Sequence, residues 1–189
     1  MLGECGTNKA MPAKQSLQPI GPARLEELAL SYVSRFATSQ AKLKTYLKRK
    51  LRERGWEGDS EPPIEALTER LAGLGYVDDR AFALSKARSL SARGYGSRRV
   101  RQALAQAGIG EEQGRDAEEF AAGEAFEAAL RFARRRSFGP FAAAELDPKA
   151  RERALAAMIR AGHGLALSKA ILKMRPGEEA DGEALSNLS

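Results

Sequence analysis

The sequence predicts an all-α fold, an elongated curved array of tandem three-helix modules. Three observations lead there. Apolar positions recur at helical spacing along the central chain, helix ends carry glycine followed by a large apolar residue, and one pattern of glycine turn plus short helix repeats. Leu43, Tyr46, Leu47, Lys50 and Leu51 fall on one stripe, the spacing of a helix that faces a core. No segment alternates as a half-buried strand does.

Taken in order, residues 1–21 lack periodicity and read as a disordered N-terminal extension. The segment GYGSRRVRQAL at 94–104 aligns without gaps with GHGLALSKAIL at 162–172, and more loosely with ATSQAKLKTYL at 37–47. Such repeats are too small to bury much surface alone and are expected to stack. They divide the chain into a first helical module at 22–58, a second three-helix module at 59–112 and a third at 113–175. Residues 176–189, with four acids and no base, read as a disordered acidic tail.

Local signals mark the helix ends. Gly75 in the left-handed position after a helix would let Tyr76 pack back on Leu71, and the same pattern relates Gly55 and Trp56 to Leu51, and Gly108 and Ile109 to Leu104. Asp78 is placed as an N-cap, with Asp79 at the positive end of the helix dipole and Val77 and Phe82 spaced as a hydrophobic staple. A catalytic role for the Asp78–Asp79 pair is the weaker reading, because no histidine or third carboxylate stands nearby in sequence to complete a site. Ser97 is expected to cap the next helix. Tyr46, Trp56, Tyr76 and Phe82 are read as core or cap contacts, Tyr95 as packing in its turn, and Phe138 and Phe141 as anchors of a connection.

The chain has 189 residues, 43% of them apolar, and a formal charge of +6. A positive excess by itself points only to a polyanionic partner. Its placement says more. Between 42 and 54 stand Lys42, Lys44, Lys48, Arg49, Lys50, Arg52 and Arg54 against one acid, most of them opposite the Leu43/Leu47/Leu51 stripe. Lys86, Arg88, Arg93, Arg98, Arg99 and Arg101 follow with no acid among them, and Arg131 with Arg134, Arg135 and Arg136 form a third group. Any one such base is most simply a solvated helix face. On a repeat array, three groups are expected to form one track for phosphates or an acidic protein groove. From this set the candidate contacts are Lys42, Lys44, Lys48, Arg49, Arg52, Arg88, Arg98, Arg99, Arg101, Arg134, Arg135 and Arg136, with Arg98 and Arg99 leading.

Enzyme chemistry has little to work with. The chain has one cysteine and one histidine, and neither a phosphate-binding loop, an HExxH pair nor a dinucleotide fingerprint. His163 stands where Tyr95 stands in the aligned repeat and reads as a turn residue. No catalytic residue, metal or cofactor is expected. Cysteine usage and the lack of a long apolar run or secretory leader point to a reducing compartment and a cytoplasmic, membrane-free protein. With no heptad seam left over, it is expected to be a monomer.

The run LGYVDDRAFALSKARSLSARGYGSRRVRQALAQAGI, 74–109, resembles the signature of the RecX family of regulators of the recombinase RecA. The likeness extends upstream through KLKTYLKRKLRERGW and downstream through RALAAMIRAGHGLALSKAIL, about 150 residues in all, and is weakest between 110 and 150. It implies three-helix modules lying in the groove of the RecA filament on single-stranded DNA. The protein would then inhibit the filament's ATPase, strand exchange and repressor cleavage, with weak single-strand contact through or beside the filament. A second reading is an autonomous helix-turn-helix protein, with Arg98, Arg99, Arg101 and Gln102 reading a major groove.

Overall fold

The computed structural model describes residues 18–179, so the disorder expected of 1–17 and 180–189 lies outside the described residues. Within them the secondary structure is helical, apart from one isolated bridge between Ile20 and Trp56. No described helix is long and apolar enough to cross a membrane.

Three apolar cores organise the chain. Helices α1 (Pro22–Val33), α2 (Gln40–Arg54) and α3 (Ile64–Gly73) enclose the first, made of Leu25, Ala29, Leu43, Leu47, Ile64, Leu67 and Leu71. Each buried Leu or Ile stabilises the bundle by about 1.5–3 kcal/mol. The second lies among α4 (Asp79–Ala92), α5 (Ser97–Gln106) and α6 (Glu111–Gly123), where Ala83 and Ala87 belong to the same cluster as Ala117 and Ala121. These small side chains let α4 and α6 approach closely. The third joins α7 (Ala125–Arg136), α8 (Pro148–Arg160) and α9 (Leu165–Lys173) around Phe126, Phe132, Met158, Leu167 and Ile171.

These cores do not follow the expected divisions at 58/59 and 112/113. Helix α3 completes the first core through Ile64, Leu67 and Leu71, and α6 returns onto α4. The repeated segment therefore marks the second helix of a helix–turn–helix pair, and the covering helix is the variable part. It follows the pair in the second bundle, as α6 after α4–α5, but precedes it in the third, as α7 before α8–α9. The longer interval before the last repeat is filled by α7 and the 3-10 turn Gly139–Phe141. That turn packs on α7 and α9, the anchoring expected of Phe138 and Phe141.

Order also reaches further than expected at both ends. Ile20 is fully buried; its N–H donates to Gly55 O at 3.1 Å, and its carbonyl accepts from Glu57 N–H at 3.0 Å. Ile20 and Gly21 thus belong to the first module. At the other end Gly177 N–H donates to Pro140 O at 2.9 Å, which holds the first residues of the expected tail against the third module.

The helix ends agree with the sequence in part. Gly75 N–H donates to Ala72 O and Tyr76 N–H to Leu71 O, both at 2.9 Å, the paired bonds of a left-handed glycine cap. Gly108 and Ile109 repeat it on Ala105 and Leu104. Yet Tyr76 is 57% exposed and Leu74 65%; the backbone closes the cap while the ring turns outward, against the expected core position. Gly55 differs too, at φ 85° and ψ 169°, an extended exit that carries Trp56 into its bridge with Ile20. Asp78 caps α4, its carboxylate accepting from Ala81 N–H at 2.9 Å. Val77 of the expected staple is buried in the first core, with Phe82 half-buried. Ser97 does not cap α5; Gly96 holds that position, and Ser97 begins the helix.

Candidate polyanion-binding interface

Two junctions fix how the modules present their charges. Between the first and second, Ser39 caps α2 by accepting from Lys42 N–H and donates its own hydroxyl to Ala107 O at 2.6 Å. Asp79 reaches the other way and accepts from Gln40 N–H at 2.9 Å. Both side chains are tied across modules, a role for Asp79 that the sequence did not reveal beyond its place in a first turn.

Between the second and third modules the turn after α4 meets the turn after α8. Gly96 N–H donates to Ala161 O at 3.0 Å, Arg98 N–H to Gly162 O at 3.3 Å, and His163 Nε2 lies 3.2 Å from Gly94 O. His163 is 1% exposed, and its ring centroid is 5.4 Å from that of Phe132. Burial pulls its pKa down to about 4, the Gly94 carbonyl opposing this only in part. The imidazole is therefore neutral at neutral pH and part of the joint. Tyr95 is half-buried and packs against both the second and third cores.

Around this joint the middle and third basic groups meet. Arg135 Nη1 donates to Arg93 O at 2.5 Å, and Arg131 Nε to Ser91 O at 3.2 Å, so α7 grips the carbonyl end of α4 with guanidinium groups. Arg131 also pairs with Glu124 at 2.6 Å. Arg93 lies over Tyr95, Arg134 over Phe141, and Arg135 and Arg136 over Phe132, at 4.8–5.9 Å from ring centroids. Stacking on rings orients these cations without neutralising them. Arg98 is exposed with no side-chain partner among the described residues, and exposed Arg99 bonds only to neutral Gln102, at 2.8 Å.

The remaining candidates are more dispersed. Arg88 lies over Phe120, and Arg101 pairs with Glu118 at 3.0 Å, both facing α6. On α2, Lys48 pairs with Glu65 at 3.0 Å, while Arg49 and Lys50 share Glu53 at 3.9 and 3.0 Å. Hydrogen bonds from Lys50 to Glu53 and from Lys48 to Glu65 hold both carboxyls below their ordinary pKa. These pairs are exposed and weak, so a phosphate can displace the carboxylate at small cost. Lys44 and Arg52 have no ion-pair partner among the described residues. Lys42 is the link toward the second module, its Nζ 5.0 Å from the Phe82 ring centroid.

The structure thus brings α4, α5 and α7 arginines to one inter-module turn, whereas the α2 group stands on the first module. The joint itself was legible only as two aligned GxG turns; nothing in the sequence said that the two turns touch each other.

A family model described as RecX, second three-helix domain, matches residues 78–117, a span that runs from the α4 cap into α6. The chain is 32% identical over 168 residues to a protein named Regulatory protein RecX from Myxococcus xanthus (strain DK1622), across 83% of this chain and 88% of that one. A crystal structure of RecX from Lactobacillus salivarius superposes with a TM-score of 0.57 at 16% identity, covering 80% of this chain and 94% of that one. A crystal structure of regulatory protein RecX gives 0.57 at 23% identity, covering 79% and 70%. At those identities the two structures bear on the fold alone.

Proposed function

The chain belongs to the RecX family, and from that premise we propose that it is a non-enzymatic regulator, mainly an inhibitor, of a RecA recombinase. It acts as a monomer in the cytoplasm and lies in the groove of the filament that RecA forms on single-stranded DNA. There it modulates filament assembly, ATPase, strand exchange and coprotease activity. No cofactor takes part, and contact with the single strand is weak beside contact with the recombinase.

The observation that carries this reading is the gathering of Arg93, Arg98, Arg99 and Arg135 at one hydrogen-bonded joint between modules. The joint holds the backbone from which these cations project, and an acidic surface with a fixed helical repeat is best met by charges projecting from a held backbone. Exposed, weakly paired bases on α2 extend the surface along the first module. Binding of this kind weakens as salt rises.

A free-standing major-groove reader is less well supported. In a helix-turn-helix the N-terminal residues of the second helix enter the groove. At the start of α5 the backbone is instead covered by the 161–163 turn, which takes the amides of Gly96 and Arg98.

The test is the DNA-dependent ATPase of the cognate recombinase titrated with this protein. Suppression at concentrations comparable to the recombinase is expected, and an unchanged rate there would overturn the proposal.

A further inference from the structure

We propose that Phe36, Tyr32 and Tyr46 form a stacking platform for an unpaired nucleobase of single-stranded nucleic acid, with the cations of α2 taking the adjoining phosphates. The three rings form a continuous series. Tyr46 and Tyr32 stack at 4.2 Å between centroids with their planes 17° apart, and Phe36 touches Tyr32 at 5.4 Å with its plane tilted by 48°. The inner rings are half-buried and pack on the first core, whereas Phe36 is 57% exposed. Phe36 N–H donates to Tyr32 O at 3.1 Å, which fixes the main chain of Phe36 just beyond the end of α1.

A single exposed phenylalanine needs no explanation. This one is the open end of an ordered aromatic series, and its surroundings select the ligand. Arg49 and Lys50 lie over Tyr46 at 5.7 and 5.9 Å, and exposed Arg35 precedes Phe36 in the chain. Among the described residues the one acid paired to these cations is Glu53, shared by Arg49 and Lys50. An exposed π-face beside Arg35, with Arg49 and Lys50 at the far end of the ring series, matches a base with its neighbouring phosphates, since stacking tolerates any base and the charges track the backbone. Duplex bases are already stacked on both faces and offer none.

The inference deepens the proposed function, resting on that reading only for the source of the strand, the one that a recombinase filament carries. Its test needs no recombinase. Fluorescence anisotropy of a short labelled single-stranded oligonucleotide at low salt is compared with an abasic oligomer of equal length and with duplex. Phe36→Ala should weaken single-strand binding about tenfold, leaving the weaker binding of the abasic oligomer and of duplex unaltered. Phe36→Leu, which keeps apolar bulk but lacks the π-face, should lose the same factor, and Phe36→Trp should retain affinity. Equal binding by wild type and Phe36→Ala would overturn the proposal, as would an equal loss on the abasic oligomer or no single-strand binding by wild type. Those outcomes leave the ATPase test untouched. An ATPase that does not respond, with Phe36-dependent binding intact, would remove only the regulatory reading.

Discussion

The backbones of Gly96 and Gly162 touch across the joint between the second and third modules. A Cβ on Gly96 would overlap the carbonyl oxygen of Gly162 and come within 2.7 Å of His163 N, while a Cβ on Gly162 would meet the amide of Arg99 and lie 2.7 Å from its Cβ. Gly162 also has φ 94°, a conformation that side chains disfavour. The contact is backbone on backbone, so no rotamer change relieves an added methyl.

Gly96→Ala is therefore expected to destabilise the protein by about 1–3 kcal/mol, read as a lower midpoint of urea unfolding. Gly123→Ala, at the end of α6 where a Cβ would meet nothing within 4 Å, is the control. It should be neutral or stabilising by up to about 1 kcal/mol. Equal midpoints for the two variants would show that the joint yields.

His163 gives the joint a pH dependence. Its folded pKa is about 4, below the usual 6.5, so above pH 6.5 both folded and unfolded states hold it neutral and its packing is fully favourable. As pH falls from 6.5 toward 4, the unfolded chain takes up a proton that the folded chain excludes, and stability is lost. The loss at the lower end is about 3 kcal/mol. In His163→Gln this component should vanish, so the wild-type and variant curves of unfolding free energy against pH should diverge in slope across that window. Parallel curves would place the imidazole in water.

Charge reversal at Arg98 and Arg99 addresses the regulatory surface. Both side chains are exposed and neither has an acidic partner among the described residues. The double variant Arg98→Glu/Arg99→Glu should keep its unfolding free energy within about 1 kcal/mol of wild type. Suppression of the recombinase ATPase should nonetheless weaken severalfold, most clearly at low salt. A folded double variant that inhibits as wild type does would remove these arginines from the interface.

Much of the fold was legible in advance because its signals are local. Gly75 and Gly108 mark left-handed caps by a property of one residue, and Asp78 caps α4 with a bond three residues long. Where local chemistry met tertiary demand, the sequence misled. Ser97 has a good capping side chain, but the approach of Gly162 leaves no room for a Cβ at the cap, so glycine takes it. Tyr76 fits the position of a ring packed back on its helix and turns out to be exposed. Among the aromatics, Tyr46 was legible as a core-facing residue, but its stacking on Tyr32 joins two helices and no spacing along one helix reports it.

By itself the sequence determined the helical class, the repeated turn and the clustering of positive charge, since periodicity, glycine conformation and charge are properties of neighbouring residues. Tertiary structure alone decided which helices share a core, that the 94–96 and 161–163 turns join, and which arginines gather there. The physical reason is that these depend on contacts between segments far apart in the chain, where the fit of Cβ-less backbones and small alanine faces selects one packing among several that the same local pattern allows.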